Sequence, residues 1–477
     1  MTEPPSTRSL IVSASGIRGV VGDGLGPEVA ARFGAAFGTF LGERAGGADP
    51  LAHVLVARDS RTSGSLLVDA VAAGLRATGW SVRDGGILAT PTALLATQDD
   101  EDAAGCVVVT ASHNPVEWNG LKLAAADGTF LDVEEGRRVE AIYRSGPSLT
   151  RWDELGERDL TVGAVEHHVE RILGLEVLDP GVIAGAGLRV VLDAVRGAGG
   201  EVTSRTLRRL GCDVEGLDLE PDGRFPRPPE PVPEQLGRLG ERVVSAGADL
   251  GMAIDPDGDR LALVDGEGRA IGESWTLALA AEYVLRRRPG ALVTNLSSSR
   301  CILDAAERAG CPWHLSPVGE ANVARRMREV ATVVGGEGNG GVMLPELHLT
   351  RDAPLAAALV LGLVVEEDLP LERIVAERPR YHLARRRLPR PEEPLDRAYR
   401  RLEDEAGEGA RADHQDGLRL DWPDRRSWVH VRPSGTEPIV RVVAEADERA
   451  PAEELADRAA DVVRSAVGLP PAGDESE

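Results

Sequence analysis

Short apolar segments alternate with segments of helical periodicity along most of the chain. Three stretches share one order: an apolar strand, a loop of small and polar residues, a helix-like segment, and a Gly that precedes a second strand. They cover residues 54–82, 190–214 and 291–313. A strand, a helix and a strand of this length form a right-handed crossover in a parallel or mixed sheet. The pattern therefore predicts three related mixed α/β domains.

The pattern changes after residue 380. A stretch rich in Arg, Pro and Glu at 384–394 is followed by an amphipathic helix pattern near 394–405 and an acidic, Gly-containing loop. Further elements are predicted as strands at 418–422, 428–431 and 439–444 and a helix at about 451–466. Strands joined by hairpins and flanked by helices are typical of an α+β domain.

The chain has 477 residues, which is too long for one hydrophobic core of ordinary size. With 42% hydrophobic residues it can build several cores. Length and composition therefore predict three or four domains. With the three repeats and the change of pattern after residue 380, we predict four domains and a disordered C-terminal tail. The predicted domain boundaries are 1–155, 156–265, 266–380 and 381–470, with the tail at 471–477.

The charge balance limits the classes of partner. Acidic residues outnumber basic residues by 78 to 54, which gives a formal net charge of -24. This charge disfavours general affinity for nucleic acid or anionic membranes. The N-terminal sequence lacks a basic segment followed by an apolar core, and no apolar run approaches the roughly 18 residues of a membrane span. We expect a cytoplasmic protein without nucleic-acid or membrane partners.

A candidate nucleophile follows an apolar strand at 105–109, in the sequence TASHNP. Ser112 lies there on a tight turn, where small neighbours and a following proline should leave its hydroxyl accessible. His113 and Asn114 offer donors to an attached phosphate. An ordinary polar loop is the alternative, because a serine nucleophile needs an activating partner. The absence of a G-x-S-x-G motif argues against an esterase of the α/β-hydrolase type.

Lys122 is the only lysine in the chain, in which arginine is otherwise used throughout. Lysine can lose its proton when its surroundings lower its pKa, whereas arginine keeps a fixed charge. Residues 120–123 have the pattern of a strand that follows an Asn-Gly turn, which would return Lys122 to the side of Ser112. Lys122 is therefore a candidate proton carrier, and a surface lysine is the alternative.

Three carboxylates occupy alternate positions in the sequence DPDGDR, after an apolar strand at 250–254. Asp255, Asp257 and Asp259 can converge on one small cation, because the Gly lets the loop curl. Mg²⁺ suits such hard oxygen donors where a phosphate oxygen supplies another ligand. The EF-hand pattern is not met, because Arg260 stands where that loop needs a Gly. An acidic turn without a metal is the alternative, although carboxylates this close repel one another.

Two further loops offer contacts for a sugar and a phosphate. The Gly-rich loop at 335–341 exposes backbone N–H groups, while Glu337 and Asn339 offer an acceptor and a donor for sugar hydroxyls. The sequence RPSGTEP supplies an Arg fork, two hydroxyls and a Gly turn, which suit a phosphate dianion, and a plain hairpin turn is the alternative. Its candidate residues are Arg432, Ser434, Gly435 and Thr436.

In this order, the four loops resemble those of the α-D-phosphohexomutases, and the resemblance covers essentially the whole chain. TASHNP resembles the family's phosphoserine loop, DPDGDR its metal loop, GGEGNGG its sugar loop and RPSGTEP its phosphate loop. The resemblance implies three related α/β domains and a fourth α+β domain around a central cleft. It also implies interconversion of hexose 6-phosphate and hexose 1-phosphate through a phosphoserine, with Mg²⁺ as cofactor and hexose 1,6-bisphosphate as intermediate and activator.

The resemblance also implies a role for each candidate residue. Ser112 would carry the phosphoryl group and hold Mg²⁺ together with the three aspartates of the metal loop. Lys122 would transfer a proton, and Arg18 and Arg260 would lie at the active centre. The residues expected to bind the substrate are Glu337, Asn339, Arg432, Ser434, Gly435, Thr436 and His113.

One departure lies at the end of the sugar loop. Many members have Ser-Gly-His there, whereas this chain has Asn339-Gly340-Gly341. Any role of that histidine must be absent or taken by another group, such as His348. The Asn-Gly-Gly form resembles the branch of archaeal-type phosphoglucosamine mutases, and related loops occur in phosphomannomutase/phosphoglucomutase enzymes. Glucosamine phosphate is therefore the favoured substrate, with mannose and glucose phosphates as alternatives.

Two rival functions would use the same residues. A metal-dependent sugar phosphatase would need the serine and the carboxylates, but it would not need a second phosphate grip such as 432–436. A binding or scaffold protein would not need every chemical position to be filled, as it is in this chain. The expected partner is a small hexose phosphate, and the protein is expected to be a monomer or a homodimer.

Overall fold

The computed structural model describes residues 10–13, 16–47, 51–435 and 437–470. Across these ranges the strands form four sheets. No helix in the described part of the chain is long and apolar enough to cross a membrane. The tail at 471–477 lies outside the described residues, so its disorder stays a prediction.

The first sheet is built from β1 (Ile11–Ser13), β2 (Gly16–Val21), β3 (Gly24–Leu25), β4 (His53–Arg58), β5 (Ser81–Ile87), β6 (Ala103–Val109), β7 (Trp118–Ala125) and β8 (Arg158–Leu160). Its order is β1-β2-β7-β6-β4-β5-β8, with β3 paired to β2. Strand β8 extends this sheet past residue 155, where the first domain is predicted to end, and the domain boundaries stay predictions. The accompanying helices are α1 (Pro27–Ala45), α2 (Gly64–Arg76), α3 (Thr90–Gln98) and α4 (Val133–Ser145).

The second sheet consists of β9 (Arg189–Asp193), β10 (Asp213–Leu217), β11 (Leu250–Ile254) and β12 (Leu261–Asp265). Its helices are α5 (Ala164–Leu173), α6 (Pro180–Ala186), α7 (Gly200–Arg209) and α8 (Gly237–Ala246). The third sheet consists of β13 (Leu292–Asn295), β14 (Trp313–Ser316), β15 (Val334–Glu337) and β16 (Gly341–Met343). Its helices are α9 (Ser274–Arg287), α10 (Arg300–Arg308), α11 (Glu320–Glu329), α12 (Ala353–Glu367) and α13 (Leu371–Ala376).

The same strand order occurs in all three sheets. The orders β5-β4-β6-β7, β10-β9-β11-β12 and β14-β13-β15-β16 correspond strand for strand. In each, the first three strands run parallel and the last runs antiparallel. The predicted repeat of three related α/β domains is confirmed. The loop that enters the antiparallel strand therefore occupies an equivalent place in each repeat, after β6, β11 and β15.

The fourth sheet is antiparallel. Its strands are β17 (His382–Pro389), β18 (Arg411–Asp413), β19 (Leu418–Trp422), β20 (Ser427–Pro433) and β21 (Ile439–Ala446), and its helices are α14 (Asp396–Ala406) and α15 (Arg449–Ala466). The order is β17-β21-β20-β19-β18. The predicted α+β character of this domain is confirmed.

Strand β17 overlaps the Arg-, Pro- and Glu-rich stretch, where the sequence pattern predicts no strand. It pairs with β21 along its whole length. Ala384 and Leu388 are buried, whereas Arg385 and Arg387 are exposed. The sequence pattern does not indicate this strand, because exposed arginines separate the two apolar positions that face the core, Ala384 and Leu388.

One hydrophobic cluster joins the second and third domains, and it includes Met252 and Ile254 of β11 together with most of α9 and α12. Helix α12 is buried on nearly all sides, as expected of a helix that is apolar all round. The first and fourth domains have hydrophobic clusters of their own. The second and third domains therefore form one packed unit.

Helices α1 and α2 approach closely at two glycines. A Cβ atom added to Gly34 would lie 2.6 Å from the carbonyl oxygen of Val71, and one added to Gly74 would lie 2.0 Å from that of Ala31. Both contacts are to backbone, so the two helices would have to separate to admit a methyl group.

We expect Gly74→Ala to lower the midpoint of thermal unfolding, because overpacking a close contact costs about 1–3 kcal/mol. Gly42→Ala is the matched control, since an added Cβ meets nothing within 4 Å at that position of α1. Alanine is the better helix former, so the control should leave the midpoint unchanged or raise it slightly. Thermal unfolding followed by circular dichroism compares the two, and equal midpoints would contradict the close helix contact.

Candidate active site

The loops after β6, β11 and β15 converge. Ser112 Oγ donates a hydrogen bond of 3.0 Å to Asp255 Oδ2, which joins the first loop to the second. Leu261 N donates to the carbonyl oxygen of Gly340 at 3.0 Å, which joins the second to the third. The equivalent places of the three repeats therefore face a common centre.

Ser112 lies on a backbone turn that non-glycine residues rarely adopt, with φ at 50. Its backbone N donates to Thr110 Oγ1 at 2.9 Å, and its Oγ lies 3.2 Å from Nδ1 of His113. The expected tight turn is present, but the hydroxyl is not accessible, because the residue is only 1% exposed. The loop that carries Asp255 covers it.

Arg61 holds the serine turn in shape. Its buried guanidinium donates to the backbone carbonyls of Ser112 and Asn114 at 2.6 Å each, of Pro115 at 2.5 Å and of Trp118 at 2.9 Å. A planar fork bonded to four carbonyls fixes the path of the loop. Arg61 was missed by the sequence prediction, and the available signal was a polar run at the carboxyl end of a strand in the same parallel sheet.

The three carboxylates of the metal loop are each 0% exposed, and one oxygen from each lies within 4.8 Å of the others. Asp257 Oδ2 accepts hydrogen bonds from Lys122 Nζ at 2.7 Å and Thr90 Oγ1 at 2.8 Å. Asp259 Oδ2 accepts one from Arg351 Nη2 at 2.5 Å. Among the described residues, the Oδ1 atoms of Asp257 and Asp259 are buried without a hydrogen-bond partner. Such oxygens are costly to bury unless a cation binds them, so the donor set fits Mg²⁺.

The crowding of these carboxylates changes their ionisation. Burial, together with the neighbouring Asp259 and Asp257, raises the pKa of Asp255 well above its ordinary value. Burial acts in the same direction on Asp257, but the Lys122 ammonium and several hydrogen bonds outweigh it and lower the pKa of Asp257. Mutual repulsion of this kind is what a bound cation would relieve.

Strand β7 carries Lys122 into this cluster. It runs antiparallel to β6 and places Lys122 opposite Val108, so the chain returns as predicted. The predicted turn at Asn119-Gly120 is wrong, because both residues lie inside β7 and the chain turns at 110–117. The Nζ atom lies 3.5 Å from Asp259 Oδ2 in addition to its contact with Asp257. Burial disfavours the charged form, but the two carboxylates outweigh it and raise the pKa of Lys122, which is the opposite of the shift expected of a proton carrier. The residue is 6% exposed, so it is not a surface lysine.

Basic side chains surround the serine turn. Arg18 on β2 donates to Asn114 Oδ1 at 3.4 Å, and Arg260 donates to Glu230 Oε1 at 3.2 Å. The Arg260 guanidinium, burial and Arg18 together lower the pKa of His113 far below its ordinary value. Burial lowers the pKa of Arg18 as well, and Arg260 contributes. Positive charge concentrated in this way suits a phosphate dianion.

The two polar residues of the sugar loop differ in their partners. Glu337 Oε1 accepts hydrogen bonds from Asn295 Nδ2 at 2.8 Å and Gly319 N at 3.1 Å, and Oε2 accepts one from Arg351 Nη1 at 3.0 Å. Asn339 Oδ1 is buried and lacks a hydrogen-bond partner within the described ranges. Glu337 is therefore fixed by the protein, whereas the Asn339 oxygen is left for a ligand.

His348, suggested from the sequence as a substitute for the sugar-loop histidine, belongs to a buried cluster. Its Nε2 atom and that of His168 each lie 2.8 Å from Asp352 Oδ2. Thr92 Oγ1 lies 2.9 Å from His168 Nδ1, so the cluster links α3, α5 and the start of α12. Burial lowers the pKa of His348, which is 3% exposed. The side chain of His348 is therefore held in this cluster.

The phosphate loop lies between β20 and β21. Ser434 is buried and its Oγ accepts a hydrogen bond from Glu437 N at 3.3 Å. Gly435 is exposed, which leaves its backbone open to a ligand. Thr436 lies outside the described residues, so its assignment stays a prediction.

Asp416, another residue missed by the sequence prediction, fixes the arginine of this loop. Its Oδ2 accepts from Arg432 Nε at 2.7 Å and from Val318 N at 3.1 Å. The next residue, Gly319, donates to Glu337. Hydrogen bonds to the consecutive residues Val318 and Gly319 therefore connect the phosphate loop to the sugar loop. The signal available in the sequence was only an acidic loop before β19.

Arg351 was also missed. It donates to Asp259 of the metal loop, Glu337 of the sugar loop and Glu320 at the start of α11. The available signal was an Arg-Asp pair in front of a strongly apolar helix, in which Asp352 caps α12. Nothing in that local pattern identifies the distant carboxylates.

Comparison with known proteins gives four consecutive matches to one family. The models described as phosphoglucomutase/phosphomannomutase alpha/beta/alpha domains I, II and III match residues 9–149, 166–268 and 273–381, and the C-terminal domain of that family matches 383–462.

Individual relatives match over nearly their whole length. A probable phosphoglucosamine mutase from Methanopyrus kandleri is 40% identical over 95% of this chain and 97% of its own. A phosphoglucomutase/phosphomannomutase from Thermococcus kodakarensis is 37% identical over 92% of this chain and 95% of its own. The crystal structure of a family protein from Burkholderia thailandensis has a TM-score of 0.82 at 28% identity, over 95% of this chain and 97% of that one. The four domains, in order, and the identity across them show that this chain belongs to the phosphoglucomutase/phosphomannomutase family of α-D-phosphohexomutases.

Proposed function

We propose that this phosphohexomutase interconverts glucosamine 6-phosphate and glucosamine 1-phosphate through a phosphoserine at Ser112. The observation that carries the proposal is the 3.0 Å contact of Ser112 Oγ with Asp255, inside a cluster of carboxylates suited to a cation. The relatives named probable phosphoglucosamine mutase favour glucosamine phosphate. Mannose or glucose phosphate is the second candidate, favoured by the relative named phosphoglucomutase/phosphomannomutase.

Asp255, Asp257 and Asp259 would hold Mg²⁺ together with an oxygen of the phosphorylated serine. The two buried Oδ1 atoms that lack partners among the described residues support this assignment. When bound, the cation supplies positive charge to the transferring phosphoryl group, where most catalysis of phosphoryl transfer arises.

In the proposed reaction, phosphorylated Ser112 donates its phosphoryl group to a free hydroxyl of the sugar phosphate. The product is a hexose 1,6-bisphosphate, which reorients and returns its other phosphoryl group to the serine. Arg18, Arg260 and His113 surround the transferring group with donors and positive charge. Lys122 is proposed to exchange a proton with the sugar hydroxyl, because a cation bound to Asp257 and Asp259 would offset the carboxylate charge that raises its pKa.

The remaining loops are proposed to hold the rest of the substrate. Glu337 and Asn339 would bind sugar hydroxyls, which is supported by the buried Asn339 oxygen. The loop at 432–436 would grip the phosphate that is not transferred, and Asp416 keeps Arg432 in place for that role. Two phosphate sites favour a mutase over a sugar phosphatase, which needs only one.

We also propose that the protein works in the cytoplasm as a monomer or homodimer. All four cysteines are buried and free, which suits a reducing compartment. The net charge of -24 disfavours nucleic acid and anionic membranes as partners. We expect a small hexose phosphate as the partner, bound by arginines at the site.

A substrate panel tests the function. With Mg²⁺ and a trace of hexose 1,6-bisphosphate, glucosamine 6-phosphate should give glucosamine 1-phosphate with little inorganic phosphate, because the two phosphate grips retain the intermediate. Phosphorus NMR would follow glucosamine, N-acetylglucosamine, glucose and mannose phosphates. The highest kcat/KM is expected for glucosamine phosphate. A higher value for another sugar would reassign the substrate, and phosphate release as fast as isomer formation would indicate a phosphatase.

The role of Ser112 as the phosphorylated residue is tested with the same assay. Ser112→Ala should lose nearly all isomerisation and should not gain the mass of one phosphate after incubation with a hexose bisphosphate. Ser145→Ala, at an exposed position of α4, is the control and should label and turn over like the wild type. Persistent labelling of the Ser112 variant would disprove the phosphoserine assignment.

Metal removal is the second test. We expect a chelator to abolish turnover and Mg²⁺ to restore it, because three buried carboxylates need a cation to offset their repulsion. Mg²⁺ should also raise the thermal unfolding midpoint of the wild type but not that of Asp257→Asn. Full activity in excess chelator would exclude a metal from the reaction.

The proton carrier is the third test. Lys122→Arg keeps the positive charge beside Asp257 but does not release a proton near neutral pH, so kcat should fall to the level of Lys122→Ala while substrate affinity survives. Steady-state kinetics and thermal unfolding of both variants give the comparison. A nearly normal arginine variant would show that Lys122 acts only through its charge.

A further inference from the structure

Arg351 connects two loops that the proposed reaction uses separately. Its Nη2 atom donates to Asp259 Oδ2 at 2.5 Å, and its Nη1 atom donates to Glu337 Oε2 at 3.0 Å. Its Nε atom donates to Glu320 Oε2 at 3.1 Å. The three carboxylates belong to the metal loop, the sugar loop and α11, and the arginine itself is 7% exposed. One planar guanidinium therefore sets the separation of the metal loop from the sugar loop.

The aliphatic part of this side chain passes over Gly341. A Cβ atom added to Gly341 would lie 2.2 Å from Arg351 Cδ and 2.7 Å from Cγ. These carbons have little freedom to move, because the guanidinium beyond them is bonded at Nε, Nη1 and Nη2. Gly341 does not adopt a left-handed φ. The glycine is therefore required by the neighbouring side chain and not by its own backbone conformation.

This packing explains why the sugar loop of this chain ends in Gly341, where many family members have a histidine. The place that a side chain at residue 341 would take is filled by Arg351, whereas His348 is held in its own buried cluster. A glycine at 341 and an arginine at 351 thus form one structural unit, in which the first makes room for the second.

The arginine also determines which oxygen of Asp259 is left for a cation. Oδ2 is occupied by Arg351 and lies 3.5 Å from Lys122 Nζ, while Oδ1 lies 3.6 Å from Arg260 Nε and is buried without a hydrogen-bond partner in the described residues. A carboxylate fixed through one oxygen presents the other in a constant direction. Groups that orient metal ligands in this way typically change metal affinity roughly 10- to 100-fold when they are removed.

We propose that Arg351 is a positioning residue that couples the metal loop to the sugar loop, with Gly341 as the position that admits it. The proposal rests on the proposed function for the identity of the cation and the sugar phosphate. It assigns Arg351 no contact with the substrate. Arg351 acts through Asp259 on the metal and through Glu337 on the sugar.

The test compares Arg351→Lys with Arg378→Lys. Arg378 is a matched control, since it is also a buried arginine bonded to carboxylates, with Nε and Nη2 contacting Glu282 at 2.8 and 2.7 Å and Nη2 contacting Glu367 at 3.2 Å. Lysine keeps the charge but lacks the planar fork. Electron paramagnetic resonance titration with Mn²⁺, without substrate, should show affinity weakened roughly 10- to 100-fold in Arg351→Lys and unchanged in Arg378→Lys. Equal thermal destabilisation of both with no change in Mn²⁺ affinity would reduce Arg351 to a structural ion pair.

A double-variant cycle tests the role of Gly341. Gly341→Ala should weaken Mn²⁺ binding and raise the KM for the sugar phosphate, because the added methyl displaces Arg351. In a protein that already carries Arg351→Ala, Gly341→Ala should cause little further loss of Mn²⁺ affinity and little further rise in KM, since the obstructing side chain is gone. Additive losses would show that Gly341 matters for another reason. If the wild type forms no isomer, the proposed function fails, while Mn²⁺ affinity still decides whether Arg351 orients the metal loop.

Discussion

The burial of three carboxylates in one small volume is the constraint on which the rest of the active site depends. Asp255, Asp257 and Asp259 are each 0% exposed, and such charges stay ionised only where donors and cations surround them. The donors come from different domains, with Lys122 from the first and Arg351 from the third. The contacts that make the charge tolerable therefore also hold the domains in register.

The threefold repeat explains how chemically different loops reach this centre. Each repeat ends in a parallel strand followed by an antiparallel one, and the loop between them leaves the same edge of the sheet. In the first repeat that loop carries Ser112, and in the second it carries the three aspartates of the metal loop. In the third repeat it is the sugar loop itself. Because the three loops are equivalent, packing the repeats around one point brings them together without any special connection.

The parts of the site that could be predicted from the sequence are those with short-range patterns. The turn at Ser112 and the alternate aspartates each lie within a few residues and carry a recognisable spacing. The return of the chain at Lys122 was also predicted, but its turn was placed at Asn119-Gly120 and not at 110–117. Arg61 and Arg351 were missed, because their partners Ser112 and Asp259 lie 51 and 92 residues away in the chain. An arginine whose partners lie this far away in the chain has no local signature. The same limit applies to His348, because its contact with Asp352, which also binds the distant His168, has no local signature.

The interface between the third and fourth domains contains polar contacts, whereas the second and third domains share a hydrophobic core. The polar contacts include Ser297 Oγ to His430 Nδ1 at 2.8 Å, and Val318 N to Asp416 Oδ2 at 3.1 Å. Hydrogen bonds of this kind exchange with water at a small net cost, whereas parting the core shared by the second and third domains would expose a large apolar area. Separating the fourth domain from the third would therefore expose less apolar surface than separating the second from the third.

That difference bears directly on the proposed chemistry. Ser112 is 1% exposed, so substrate reaches it only when the surrounding loops open. The proposed phosphate grip at 432–436 lies on the fourth domain, so closure of that domain on the substrate would depend on the phosphate that is not transferred. Such closure would exclude water while the phosphoryl group is transferred. In this proposal, binding of that phosphate favours transfer to a sugar hydroxyl over loss to water.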